Sequence, residues 1–357
     1  LRDRQDVAVE WPTLGLVLAT YAVWALGTGW LFDLAPLLGF GVTTLAIAQF
    51  SSLQHEVLHG HPFRSRRLSE ALVFAGLTVF VPYIRFRDLH LAHHRDERLT
   101  DPYDDPESNY LDPAVWQRLA PWLRAVLAFN NTLLGRILIG PAVSIWALGR
   151  SDLRAIRDGD RAVRDAWLWH LPGLVLVALW LWATPGGMGG WAYLGAAYAG
   201  YGLLKIRTYL EHRAHEKVRG RSVIVEDRGP LSFLFLNNNF HAVHHARPGE
   251  PWYRLPALYR DRRDDWLRRN GGYVYRSYGE VFARHLVSAK DPVAHPLWPD
   301  RMDRAVEPEG TPAIGPALAA AFPAVEAAGP PPAAAGATTA TTAATTPTAA
   351  EGAPAGA

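Results

Sequence analysis

The sequence predicts an all-α integral membrane protein with four transmembrane helices in two hairpins, interfacial helices between them, and a cytosolic cap that gathers histidines. Three observations predict it. Uncharged apolar runs come in two closely spaced pairs. Lysine and arginine flank the outer ends of both pairs and are missing from the tight turns within them. Most of the 14 histidines sit in three short clusters, each beside an apolar pair on its charged side.

The first pair is "WPTLGLVLATYAVWALGTGWLF", 11–32, and "LAPLLGFGVTTLAIAQFSSL", 34–53. A helix needs about 20 apolar residues to cross a bilayer, and the connection is too short for anything but a hairpin. The second pair is "AWLWHLPGLVLVALWLWA", 166–183, and "GWAYLGAAYAGYGLL", 190–204, joined by "TPGGMGG". Trp11, Trp30, Trp167, Trp169 and Trp191 stand near the ends of these runs, where interfacial aromatics belong. Two other apolar stretches are shorter or broken. Residues 71–84 contain Pro82, and 122–148 are interrupted by Arg124, Asn130, Asn131, Arg136 and Pro141. Both are expected to be interfacial or re-entrant.

Charge placement sets the orientation. Arg2 and Arg4 precede the first run, and Arg64, Arg66 and Arg67 follow the second. Arg150, Arg154, Arg157, Arg161 and Arg164 precede the third, and Lys205 and Arg207 close the fourth. The positive-inside rule therefore places both termini and all three histidine clusters in the cytoplasm; the expected location is a multi-pass protein of a bacterial inner membrane. The expected organisation is a cytosolic N-terminal segment, 1–10, a membrane domain, 11–300, and a tail, 301–357. That tail, rich in Ala, Pro and Thr, has too little to bury to offset chain entropy and is expected to be disordered. No signal-peptide n-region and cleavage site are evident before Trp11.

Composition narrows the chemistry. The chain has no cysteine, which excludes disulfides, thiolate-held zinc or iron–sulfur clusters, and a thiol nucleophile. A net charge of +2 implies no nucleic acid or other bulk polyanion as partner. The histidine clusters are "HEVLHGH", with His55, His59 and His61; "HLAHH", with His90, His93 and His94; and "HAVHH", with His241, His244 and His245. Spacings of three and four put side chains on one face of a helix. Each HxxHH is thus expected to aim three ring nitrogens into one volume. With His55 and His59, eight imidazoles would converge. That is too many for one metal and suits two, with positions left for oxygen or water. Imidazole accepts zinc, copper, iron and nickel, and a pair of irons uses this many ligands and can activate dioxygen. Eight buried imidazoles without a metal would be costly.

Neighbouring groups are candidates to orient those rings, as metal-bound imidazoles require. Glu56, Asp88, Asp96, Asp101 and Glu211 could each accept a ring N–H. Asn237, Asn238 and Asn239 could do the same or cap a helix. Asp104 and Asp105, in the turn-rich "RLTDPYDDPES", are expected to be plain surface-loop residues. His61 lies off the shared face and could at most support the ligands. His170, inside a span, is expected to be structural, and His285 and His295 to be surface residues. The arginines of "LYRDRRDDWLRR" are expected on a solvated helix that could dock an acidic electron carrier.

The three motifs resemble the histidine boxes of the integral-membrane fatty acid desaturase and hydroxylase superfamily, over about residues 15–295. The resemblance implies four transmembrane helices under a cytosolic cap that holds a non-haem di-iron centre. It also implies a further histidine ligand just after the fourth span: His212 in "RTYLEHRAHE", with His215 as second choice. One branch of the family has, four residues before this ligand, an Asn that reaches iron through water; here that position is Thr208. The implied metal ligands are His55, His59, His90, His93, His94, His212, His241, His244 and His245.

The expected activity is O2-dependent desaturation of a lipid or fatty acyl chain. The alternative is a hydroxylase or ketolase of an alkane, carotenoid or other apolar molecule. Without cysteine or a fused haem module, the two electrons must come from a separate ferredoxin-like or cytochrome donor. A membrane metal transporter would need ionisable residues within the spans, which hold little beyond His170.

Overall fold

The computed structural model describes residues 9–94 and 98–298. The expected disordered tail and nearly all of the 1–10 segment lie outside those residues. Sixteen helices run in chain order among the described residues. They begin with α1 (Trp11–Thr28), α2 (Trp30–Leu34), α3 (Pro36–Leu58), α4 (Arg66–Leu72) and α5 (Tyr83–His93). The middle holds α6 (Pro113–Arg118), α7 (Pro121–Asn130), α8 (Leu133–Leu138), α9 (Gly140–Arg157), α10 (Arg161–Trp182) and α11 (Gly190–Thr208). The last are α12 (Pro230–Leu234), α13 (His241–Ala246), α14 (Leu255–Asp261), α15 (Arg263–Arg269) and α16 (Tyr278–His285). Two short parallel strands, β1 (Ile224–Val225) and β2 (Val274–Tyr275), tie the C-terminal part together.

Local sequence sets the ends of the long helices. Pro12 and Pro36 sit in the first turns of α1 and α3, where a missing N–H costs nothing. Asp160 caps α10 by accepting the N–H of Val163 at 3.1 Å. Three segments are long and apolar enough to cross a membrane: Trp11–Leu34, Pro36–Leu58 and Arg161–Trp182. α11, the expected fourth, is helical over 19 residues but falls short of that measure. Its glycines and tyrosines, with Lys205 and Arg207 in the last turn, lower its hydropathy.

Inside lipid, apolar burial does not drive helices together, so close packing of small residues must. α3 meets α11 through Thr44, Ile47, Ala197 and Gly200. A Cβ on Gly200 would stand 3.0 Å from the Thr44 carbonyl oxygen. The outward faces carry apolar bulk instead. Leu18, Leu37, Leu176 and Leu179 are exposed, and Trp11, Trp30 and Trp191 stand exposed at helix starts, as the aromatic positions predict, while exposed Trp169 lies two turns inside α10. Trp167 is partly covered and donates to Asp152 at 2.8 Å.

No helix spans 73–82. The chain there turns irregularly against α10 and α11, with Val79 at φ 63°. Gly76 N–H donates to the Gly173 carbonyl at 3.1 Å. The Leu77 and Val79 carbonyls accept from Tyr193 Oη at 2.9 Å and His170 Nε2 at 2.7 Å. Irregular backbone packed among apolar helices is tolerated only when protein satisfies it, and here His170 and Tyr193 supply the donors. The stretch 122–148 is likewise broken into α7, α8 and the start of α9.

Candidate metal centre

Four chain segments meet at the charged ends of the long helices. The last turns of α3 bring His55 and, as its C-cap, His59. α5 ends in His90 and His93 with His94 as C-cap, and α13 carries His241, His244 and His245. His212 comes from the strap after α11, where it pairs with Ser222 in an isolated bridge.

These nine residues form two groups. His55, His59, His90, His94 and His244 make one; His93, His212, His241 and His245 make the other. Within each, one ligand atom per residue lies within 4.8 Å of all the rest. Each HxxHH motif is therefore divided between two volumes, which corrects the expectation that it serves one. His90 and His94 go to the first group while His93 goes to the second; His241 and His245 go to the second while His244 goes to the first. The helix explains the split. At about 100° per residue, positions i+3 and i+4 fall on opposite sides of position i. The i,i+4 pair serves one centre and the i+3 residue reaches the other. The groups touch, since the rings of His94 and His245 stack with centroids 4.3 Å apart.

The ring nitrogens are presorted. His90 Nδ1 lies 2.9 Å from Glu107 Oε1, and His93 Nδ1 lies 2.7 Å from Asp105 Oδ1. His241 Nδ1 lies 3.1 Å from Asn238 Oδ1, and His212 Nδ1 lies 3.3 Å from Ser222 Oγ. With the proton held on Nδ1, the lone pair of Nε2 faces inward. The Nε2 atoms then confront one another: His93 and His212 at 2.9 Å, His212 and His241 at 3.0 Å, His90 and His94 at 2.9 Å. His55 Nε2 is buried with no hydrogen-bond partner. Facing lone pairs repel unless a cation lies between them, so this donor set fits a metal in each group.

Electrostatics agree. Burial and the neighbouring histidines hold His94, His212, His241 and His244 well below the usual imidazole range, leaving them neutral and able to ligate. His93 differs. Burial pushes it down, but Asp105 and Glu107 outweigh that and raise it to about 9. Burial raises Glu107, yet His90 and His93 prevail and keep its carboxylate ionised. Glu211 is raised by burial.

Several supporting residues differ from expectation. Asp105 is 2% exposed and holds His93 besides accepting the Thr100 N–H at 2.8 Å, so it is no surface-loop residue. Glu107 was missed altogether; its only sequence signal is a carboxylate in the loop that follows the second cluster. Of the expected carboxylates, Glu211 contributes through Asn238, whose Nδ2 donates to it at 3.3 Å. Glu56 accepts the Trp252 N–H at 2.9 Å, and half-exposed Asp88 pairs with Arg87. Asp101 accepts the N–H groups of Tyr103 and Asp104 as a turn residue. Asp96 lies outside the described residues. Among the asparagines, Asn238 orients a ring, while Asn237 and Asn239 donate to backbone carbonyls and none caps α13. His61 is fully buried between Glu10, 2.5 Å from its Nδ1, and Glu56, 3.7 Å from its Nε2. His215 packs against the Lys217 backbone, outside both groups. His295 is buried rather than exposed, with its ring 4.9 Å from that of Tyr110. His285 is partly covered and meets Tyr275 Oη at 2.9 Å.

A cavity of about 200 Å³ opens beside these groups. Ile47, Val81, Leu148 and Ala197 line its apolar part, and Glu107 and His212 also line it. Ile47 lies eight residues before His55 on α3, about two turns. The cavity thus runs from the histidines into the helical body.

The pattern of the fatty acid desaturase family matches residues 28–277. A sphingolipid delta(4)-desaturase/C4-monooxygenase of Homo sapiens is 29% identical over 267 residues, covering 71% of this chain and 74% of that protein. A beta-carotene ketolase of Paracoccus sp. (strain N81106 / MBIC 01143) is 25% identical over 256 residues, covering 68% and 86%. A second beta-carotene ketolase, of Paracoccus sp. (strain PC1), is 26% identical over 265 residues, covering 68% and 90%. Three histidine clusters folded into two facing groups, apolar membrane-length helices and a match across most of the chain lead to one assignment: this protein belongs to the fatty acid desaturase family of membrane oxidoreductases.

Proposed function

We propose that this protein is an O2-dependent, membrane-bound lipid (fatty acyl) desaturase working at two histidine-held irons. His55, His59, His90, His94 and His244 hold one iron; His93, His212, His241 and His245 hold the other. The observation that carries the reading is the meeting of two facing imidazole groups with a largely apolar cavity. Bound there, the irons supply dioxygen activation and the removal of hydrogen from an unactivated methylene. The chain's own residues do the rest. Ile47, Val81, Leu148 and Ala197 align an acyl chain and exclude water. Asp105, Glu107 and Asn238 fix the ligand rings.

Loss of two hydrogens from the substrate, with two electrons from a protein donor and two protons from water, reduces O2 to two waters. The donor is a separate acidic ferredoxin-like or cytochrome protein. A second cavity, lined by Arg219, Trp266, Arg269 and His245, suits its approach. In this reading α11 is the fourth span, the metal centre forms a cytosolic cap, and both termini are cytoplasmic.

Hydroxylation or ketone formation on the same centre is the second reading, favoured by the two ketolase relatives and by the monooxygenase in the human relative's name. Anaerobic purification with iron quantification should return close to two irons per chain. Aerobic turnover of acyl and carotenoid substrates, followed by mass spectrometry, should return an alkene. A hydroxylated product without an alkene would establish the second reading instead. His94→Ala and His245→Ala should each abolish activity, with His285→Ala as the active control.

A further inference from the structure

The cavity beside the histidines is not apolar throughout. Lys205, Arg207 and Thr208, at the end of α11, line it within seven residues of His212. Arg207 is only 7% exposed. Its Nε lies 3.0 Å from Glu211 Oε1, while its buried Nη1 has no hydrogen-bond partner. The buried Oγ1 of the next residue, Thr208, has none either. Lys205 Nζ donates to Ser144 Oγ at 2.8 Å and lies 4.6 Å from the Tyr201 ring centre.

A buried donor left unmet is costly, and more so on a charged group. A hydrocarbon substrate would bury these groups further and give them nothing. An oxygen on the substrate would offer these donors a partner. The surrounding charge selects its kind. Two basic side chains, Lys205 and Arg207, and two acidic ones, Glu107 and Glu211, line the same cavity. A carboxylate or phosphate would bring a third acidic group to that cavity, beside Glu107 and Glu211. An uncharged oxygen would not be repelled.

We infer that the substrate carries an uncharged oxygen function, a hydroxyl or carbonyl, close to the carbons that react, and that Arg207 Nη1 and Thr208 Oγ1 hold it beside the histidines. This rests on the proposed function, since it assigns a substrate class to the same cavity. It makes the substrate an oxygenated lipid rather than a plain hydrocarbon, and it gives the enzyme a fixed point from which the reacting carbon is measured.

The test reads binding without turnover. The iron-loaded protein in maltoside micelles, kept anaerobic, is titrated with 1-hexadecanol, hexadecane or palmitate at matched mole fraction. Thermal unfolding midpoints give apparent affinities. The alcohol should bind about tenfold more tightly than the alkane, as one net hydrogen bond allows, and more tightly than palmitate. Thr208→Val and Arg207→Gln should each remove that advantage while leaving hexadecane affinity unchanged. Because Arg207 also touches Glu211, Thr208→Val decides if Arg207→Gln loses iron. Equal affinity for alcohol and alkane in the wild-type protein would overturn the inference, as would preference for palmitate or an undiminished preference for the alcohol in Thr208→Val. Failure to form an alkene in air would count against the desaturase reading alone.

Discussion

Asp105 and Glu107 do more for this site than their loop position suggests. Each holds one ring nitrogen of the second histidine cluster, and His90 and His93 thereby turn their Nε2 atoms toward different groups. Losing such a partner typically weakens metal affinity by about 10–100-fold. Asp105→Asn and Glu107→Gln should therefore lower retained iron by that order under competition with a chelator, whereas exposed Asp104→Asn should leave it unchanged. His295 shows the same dependence on environment without a metal. Burial, with Arg221 nearby, pushes its pKa down from 6.5 to about 4. In the unfolded chain it binds a proton near its ordinary value of about 6.5. The unfolded state thus gains the proton first, and stability is lost as pH falls from about 6.5 to about 4. Melting curves across that window should show a shallower loss in His295→Gln. Nothing in the local sequence of His295 or Asp105 separates them from surface residues. What buries them is the 291–298 strap returning over the loop at 100–111, where Leu111 N–H donates to the Val293 carbonyl at 2.9 Å.

At the scale of elements, the irregular stretch 73–82 is held by what α10 and α11 offer it. Gly173 is the tightest point: a Cβ there would stand 2.6 Å from the Phe74 carbonyl oxygen, which is backbone and cannot swing aside. Gly173→Ala should therefore destabilise the protein by about 1–3 kcal/mol, the usual cost of overpacking, read as a lower melting temperature in detergent. His170→Leu should act in the same direction by leaving the Val79 carbonyl without its donor. The broken apolar pattern of 71–84 and Pro82 was enough to say that no regular span forms there. The partners that satisfy its backbone lie about 90 to 120 residues further on, beyond the reach of any local pattern.

For the whole molecule, the absence of cysteine makes orientation directly measurable. Asp158 and Pro185 are exposed and stand on either side of α10. Asp158→Cys and Pro185→Cys, each the single thiol of its variant, should be labelled by a membrane-impermeant maleimide from opposite faces of the bilayer. Labelling of both from one face would mean that α10 does not cross. The sequence by itself determined the helical class, three membrane-length apolar segments, the three histidine clusters and the family, because each is written in short-range spacing and composition. Only the tertiary structure decided how those histidines are shared. Helical phase divides each HxxHH motif, but which centre a ring reaches depends on how α3, α5 and α13 cross. Tertiary structure also decided that Asp105, Glu107 and Asn238 orient the ligands, and that Arg207 and Thr208 face a cavity. Burial and the meeting of distant side chains arise from packing between segments far apart in the chain, and packing leaves no mark in the spacing of any one of them.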